Sequence, residues 1–225
     1  MSNKLEFITF MVRAGALTFG DFVTKSGRKT PYFVNTGKYS NGEQISQLGN
    51  FYANCIMDNI KVKENTVLFG PAYKGIALAV STAIALSGRG IHVNYCFNRK
   101  EVKDHGEGGS LVGHKLTKGD RVLIIEDVIT AGTAVREVLP ILQDVGAIVD
   151  GLVISVDRME RGTGERTAIQ EIWEEYQIPT FPIVNVCDII ECLHNRPIDG
   201  SVLINDEIAA RMKAYLKEYT TDPRP

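Results

Sequence analysis

The chain has 225 residues, 44% hydrophobic and 23% charged, a balance that excludes a disordered, collagen-like or coiled-coil protein. At this length roughly three quarters of the unfolded chain's exposed surface is buried on folding, so one sizeable core is expected, with residues 1–225 forming a single domain. Twenty-five Lys and Arg against 27 Asp and Glu give a formal charge of -2, without the basic surplus of a protein that binds nucleic acid by neutralising phosphates.

The opening stretch, MSNKLEFITFMVRAGALTFG, is broken by Arg13 and shows no small-residue cleavage site, and nowhere do about 18 apolar residues follow one another. Neither export nor membrane insertion is expected, which points to the cytoplasm. The cysteines agree: Cys55, Cys96, Cys187 and Cys192 are scattered without a C-x-x-C pair, as in a reducing compartment. They read as buried thiols, Cys55 and Cys96 lying inside apolar segments. A metal site built from Cys187, Cys192 and His194 is the weaker reading, because paired two-residue knuckles are missing.

In chain order, a helix is expected from about Lys4 to Gly15, followed by short extended pieces around the turn Lys25 to Lys29. Ser40 with Glu43 reads as a capping box before a helix bearing Ile45, Leu48, Phe51, Tyr52, Cys55 and Ile56. Residues 1–65 are thereby expected to form a small N-terminal cover on a sheet. From residue 66 onward, apolar runs at 66–69, 91–97, 121–125, 148–156 and 180–186 alternate with helical patterns at 75–87, 133–145 and 168–176. This rhythm predicts an α/β fold, a mostly parallel twisted sheet with helices on both faces. Pro140 should kink the second helix or mark its last turns. Residues 99–115, charged, Gly-rich and without apolar periodicity, read as a long loop, and loops of that length inside compact domains are usually functional or disordered.

RVLIIEDVITAGTAVREVL carries the most chemistry. An apolar strand runs into Glu126 and Asp127, then into Thr130-Ala131-Gly132-Thr133, and a helix begins; in open α/β sheets ligands bind at this carboxyl end. Small residues leave backbone N–H groups unobstructed before a helix N-terminus, which suits a phosphate monoester. The acids suit sugar hydroxyls, with a part in placing a hydrated Mg²⁺. A phosphorylated ribose uses both halves. A plain strand-turn-helix with an N-cap Thr and solvated acids fits the same residues, and anatomy alone does not choose. Competing phosphate motifs fail: Gly108 and Gly113 have P-loop spacing, but His114 and Lys115 stand where Lys and Ser/Thr belong, and no G-x-G-x-x-G follows a strand.

IIEDVITAGTA resembles the ribose-5-phosphate loop of type I phosphoribosyltransferases. FVTKSGRKTPYFVNTG, LFGPAYKG, YCFNRKEVKDHGEGG and ISVDRMERG, in order from Phe22 to Gly162, resemble the orotate phosphoribosyltransferases within that family. The resemblance implies that Lys25, Tyr73 and Lys74 contact phosphoribosyl diphosphate, and that Arg99, Lys100, Lys103 and His105 belong to a mobile catalytic loop. Glu126, Asp127, Val128, Ile129, Thr130, Ala131, Gly132, Thr133 and Ala134 match the ribose-phosphate loop, Phe33, Val34, Thr130 and Arg158 the pyrimidine site. Lys103, His105 and Asp127 are the implied catalytic residues. Mg²⁺ as cofactor, and a homodimer whose loop reaches the neighbour's site, are implied as well. Two departures stand out: Glu126 where many members carry Asp, which keeps the charge and lengthens the reach, and Val34 where a second Phe is usual.

The residue chemistry is compatible with these roles. Detaching diphosphate leaves a sugar with oxocarbenium character, so cations on a closing loop would meet negative charge as the bond lengthens, with Lys103 aimed at the developing diphosphate oxygens. Phe33 would stack on a flat pyrimidine, and Arg158 would grip a carboxylate with two parallel bonds. Taken alone, each has an ordinary reading too: a solvated loop, a core aromatic, a surface salt bridge to Asp157 or Glu160, and surface lysines at Lys25 and Lys74. A transferase for another base would leave Arg158 unpaired, and a non-catalytic sensor of phosphoribosyl diphosphate would not need the basic loop.

Overall fold

The computed structural model describes residues 3–24, 27–103, 109–129, 132–161 and 164–220, with the side chains of 101–103 and 109 left aside. Lys25, His105, Thr130 and Ala131 thus lie outside the described residues, as does the side chain of Lys103.

Helix α1 (Asn3–Arg13) leads into a hairpin of β1 (Leu17–Val23) and β2 (Lys29–Val34), a two-stranded antiparallel sheet of its own. A 3-10 turn at Thr36–Lys38 precedes α2 (Gly42–Asn59). The cap of α2 is Asn41, whose side chain accepts from Gln44 N, while Ser40 N donates to the Gln44 side chain. The box anticipated at Ser40 and Glu43 is not formed: Asn41 caps the helix alone, and the Gln44 side chain reaches past the cap to Ser40 N.

Next come β3 (Thr66–Gly70), α3 (Lys74–Ser87), β4 (Asn94–Lys103), β5 (Gly109–Gly113), β6 (Arg121–Val128), α4 (Thr133–Asp144), β7 (Ile148–Asp157), α5 (Ala168–Tyr176) and β8 (Thr180–Asn185). The chain closes with α6 (Val186–Leu193), the short pair β9 (Pro197–Ile198) and β10 (Ser201–Val202), and α7 (Asp206–Tyr219). The main sheet has the order β5-β4-β3-β6-β7-β8, parallel except for β5, which runs antiparallel to β4. The α/β expectation holds. Residues 99–115 are a correction: Cys96 pairs with Gly113 and Asn98 with Leu111, so the described flanks of that stretch are an edge hairpin rather than loop. Its outer strand, GSLVG, is short and Gly-bounded, and one apolar pair does not betray a strand.

Side chains alternate across the sheet. Leu68, Leu123, Ile125 and Val153 enter a core shared with α1, β2, α2, α3, α6 and α7, so residues of 1–65 pack into the same interior as the sheet. Val67, Phe69, Val122, Ile124, Leu152 and Ile154 point to the other face, beneath α4 and α5. Both faces being covered, β3 is buried at every position, which is why parallel strands read as unbroken apolar runs. Helix α4 continues one turn past Pro140. Cys55 and Cys96 are buried, and burial pushes their thiols up, to about 11 and about 12. Cys187 is exposed on α6 and Cys192 half-buried, so the buried-thiol expectation fails for this pair. Among the described residues no helix is long and apolar enough to cross a membrane.

Candidate active site

Strand β3 pairs with β6 only as far as Ile124, so the last residues of β6 lack a ladder partner on that side. Side chains supply what the ladder does not: Tyr52 of α2 donates its hydroxyl to the Glu126 carbonyl at 2.7 Å, and Ser155 of β7 donates to the Asp127 carbonyl at 2.6 Å. Both acids are thereby held, nearly buried, at the carboxyl end of β6.

Their side chains have different fates. Glu126 folds back on its own strand, Oε1 accepting the Asp127 N–H at 2.9 Å. Burial first, then the charge of Asp127, holds its proton up to about 8. The extra methylene is thus spent locally, and the longer reach is not what the structure shows. Asp127 faces the opposite circumstance: burial works against its charge, but donors outweigh it. Its Oδ2 accepts from Lys74 Nζ at 2.8 Å and from the Thr36 hydroxyl at 2.5 Å, and its Oδ1 accepts from Val128 N at 2.8 Å, so the carboxyl lies below its usual range.

Lys74 reaches Asp127 because the turn between β3 and α3 lies close against β6. A Cβ on Gly70 would stand 2.3 Å from the Gly75 carbonyl oxygen, and one on Gly75 would stand 2.8 Å from that of Ile125; only glycine permits either approach. Buried Asn98 of β4 accepts the Ala72 N–H at 2.9 Å, and the Ala72–Tyr73 peptide is cis. Tyr73 itself is 71% exposed. Gly132, left-handed at φ +68°, starts α4, leaving Thr133 and Ala134 in the helix's first turn. Lys100 pairs with Glu137 of α4 at 2.9 Å, and Arg99 precedes it on β4.

The other predicted group lies where β2 meets the end of β7. Phe33 is half-buried and stacks on Phe22, centroids 5.5 Å apart, whereas Val34 is buried in the main core. Arg158 is 9% exposed, its guanidinium 5.0 Å above the Tyr32 ring, with Nε and Nη2 both donating to Glu160 Oε1 at 2.9 and 2.6 Å. Tyr32 donates to the same oxygen at 2.8 Å. The bland alternative for Arg158, a pair with Glu160, is realised here, although buried. Sequence reasoning gave no site role to Thr36, Tyr52 or Asn98 and took Glu160 only as a salt-bridge partner; Thr36, Asn98 and Glu160 lie inside the matching segments, one or two residues from Val34, Arg99 and Arg158, and only Tyr52, read as a core residue of α2, carried no such signal. A groove of about 900 Å³ between α1, the start of α2 and β9 contains none of these residues.

Residues 35–179 match the family of phosphoribosyl transferase domains. Fold, loop and match together define the class as that of the phosphoribosyltransferases. Along nearly its whole length the chain is 56% identical to the orotate phosphoribosyltransferase of Clostridium beijerinckii and 54% identical to that of Clostridium botulinum, over 96% of this chain and 97% of each relative. The crystal structure of orotate phosphoribosyltransferase from Francisella tularensis superimposes with a TM-score of 0.83 at 34% identity, covering 96% of this chain and 99% of that one. The chain belongs to the orotate phosphoribosyltransferase family.

Proposed function

We propose that the residues at the carboxyl ends of β3, β6 and β7 divide between them the reaction of this family. In that reaction the 5-phosphoribosyl group passes from phosphoribosyl diphosphate to orotate, giving orotidine 5'-phosphate and diphosphate, a step of pyrimidine biosynthesis. The observation that carries the assignment is the pairing of Lys74 with Asp127: a cation suited to diphosphate and an anion suited to ribose hydroxyls meet where the strand enters the 126–134 loop. On donor binding Asp127 accepts from the ribose, Thr133 and the backbone of the loop hold the 5'-phosphate at the start of α4, and Lys74 turns to the diphosphate with Tyr73 and Lys25. Phe33 stacks on the base, Thr130 borders it, and Arg158 holds its carboxylate; Val34, expected beside the base, is instead turned into the core. As the bond from ribose C1 to diphosphate lengthens and the bond to the base nitrogen forms, Arg99, Lys100, Lys103 and His105 take up the charge on the departing oxygens. Lys100 leaves Glu137 to do so.

Mg²⁺ fits this donor set, which offers carboxylate oxygens. A cation that keeps most of its waters and rides on substrate phosphates needs no cluster of three protein ligands, and none occurs among the described residues. Asp127 would hold it through water, and when bound it would offset the charge of the diphosphate. We assign the chain to the cytoplasm, on its scattered cysteines, and to a homodimer whose 99–109 segment completes the neighbouring site, on the sequence resemblance. The test is diphosphate release from phosphoribosyl diphosphate and Mg²⁺ with each nucleobase in turn. Orotate should far outpace uracil, because losing a charge-assisted two-bond contact costs about 2 kcal/mol; a uracil rate within about threefold of the orotate rate would overturn the assignment.

A further inference from the structure

Thr36 stands in the 3-10 turn after β2, and that turn is anchored: Asn35 N donates to the Ala16 carbonyl at 2.7 Å, and the Asn35 side chain accepts the Gly37 N–H at 3.1 Å. From this anchored position the Thr36 hydroxyl donates to Asp127 Oδ2 at 2.5 Å and accepts from Lys74 Nζ at 3.2 Å, while Lys74 donates to the same Oδ2 at 2.8 Å. One proton and two lone pairs let a hydroxyl do both at once without adding charge.

The three donors on Asp127 are not equivalent. Val128 N–H and the Thr36 hydroxyl are fixed by backbone and turn, but the Lys74 side chain is 60% exposed and lies over a carboxyl group that is only 8% exposed. When a diphosphate draws Lys74 away, Asp127 exchanges a charged partner for neutral ribose hydroxyls in a nearly buried place, where a carboxylate whose donors are not well placed is costly. With Thr36 present, each carboxylate oxygen still keeps one donor. We infer that Thr36 is a positioning residue of the donor site, whose hydroxyl holds the Asp127 carboxylate in place and lowers the cost of moving Lys74 from Asp127 to the diphosphate. The inference rests on the assignment of Asp127 to ribose and Lys74 to diphosphate.

Thr36→Val removes the hydroxyl and keeps the shape; Thr36→Ser keeps the hydroxyl. The Val variant should raise the KM for phosphoribosyl diphosphate about tenfold, the scale of one hydrogen bond to a charged group, with the orotate KM and the melting temperature little changed. Ser should return the donor KM to within about threefold of wild type. An unchanged donor KM in the Val variant overturns the inference, and so does a Ser variant as impaired as Val, or an equal rise in both substrates' KM, which would make Thr36 a mere tether of the hairpin. Should Val fail to fold, calorimetric binding of phosphoribosyl diphosphate to the Ser and Ala variants decides in the same way: loss in Ala and not in Ser supports the inference, and any other pattern overturns it. Asp127→Asn separates this idea from its parent: a wild-type donor KM in that variant sinks the ribose assignment itself, whereas a raised KM there beside an unaffected Thr36→Val sinks the role of Thr36 alone.

Discussion

Glu160 occupies one edge of the Arg158 guanidinium, the edge made by Nε and Nη2, and the tyrosine hydroxyl that shares its Oε1 fixes it there. Among the described residues Nη1 has no partner, so the end edge, Nη1 with the second hydrogen of Nη2, is left for a planar carboxylate. Lysine has a single ammonium and no fork. Arg158→Lys should therefore raise the orotate KM by roughly 30-fold, about 2 kcal/mol, while the donor KM stays near its wild-type value; equal rises in both would make the arginine structural. Glu126 gives a prediction with a definite sign. Its folded-state proton is held up to about 8 by burial and by Asp127, against an ordinary value of 4.5. Between those limits the unfolded chain binds fewer protons at this group than the folded one, so its contribution to stability is complete below the lower limit and is lost as pH rises through the upper. Glu126→Gln, neutral throughout, should lose less melting temperature between pH 5 and 8 than the wild type does, and parallel curves would show that Glu126 is ionised in the fold.

At the scale of elements, legibility followed burial. Strands β3, β6 and β7 announced themselves because sheet and helices bury them on both faces, leaving apolar runs that only punctuation by Gly, Pro and charge interrupts. Strand β5 did not, since an edge strand of five residues with glycine at both ends has little to bury. Helices α6 and α7 went unread for a different reason: VCDIIECL is too short for periodicity to separate it from a strand, and α7 is mostly polar on its outer face, with Ala209, Met212, Tyr215 and Leu216 alone turned inward. Residue types singled out the 126–134 loop, and the resemblance singled out Lys74, but the meeting of Asp127 with Thr36 and Lys74 was not legible, because these two arrive from other elements. That arrival depends on the tight turn after β3. Gly70→Ala would place a methyl group 2.3 Å from the Gly75 carbonyl oxygen, a clash no rotamer relieves, so the start of α3, with Lys74, must shift from the end of β3. The expected result is a stability loss of about 1–3 kcal/mol, roughly 2–12 °C in melting temperature for a chain of this size, together with loss of donor binding. An alanine variant with normal stability and donor KM would show that the approach of the turn is dispensable.

At the scale of the whole molecule, the fold brings Lys74, Asp127 and the start of α4 to the carboxyl ends of the central strands, while Arg99 and Lys100 lie on β4, in the pair β4–β5 at the border of the sheet. The proposed homodimer then makes a prediction that no property of one chain reproduces. Lys103→Ala should lower kcat by about 10² or more, as removal of a donor to developing charge usually does, with a smaller effect on donor binding, since its target charge appears only as the bond breaks. Asp127→Asn should also be nearly inactive, for want of the ribose acceptor, and should melt within a few degrees of the wild type. If the 99–109 segment serves the neighbour's site, a hybrid dimer of the two variants contains one site that pairs an intact ribose pocket, from the Lys103→Ala chain, with an intact Lys103, from the Asp127→Asn chain. Its other site carries both lesions. After random exchange about half the dimers are hybrids with one good site each, so mixing equal amounts should restore roughly a quarter of the wild-type activity. If the segment serves its own chain's site, every site in the mixture keeps one lesion and mixing restores nothing. Subunit exchange shown by mass spectrometry without recovered activity would thus reject the shared site, and an unchanged kcat in Lys103→Ala alone would reject the catalytic role of the segment.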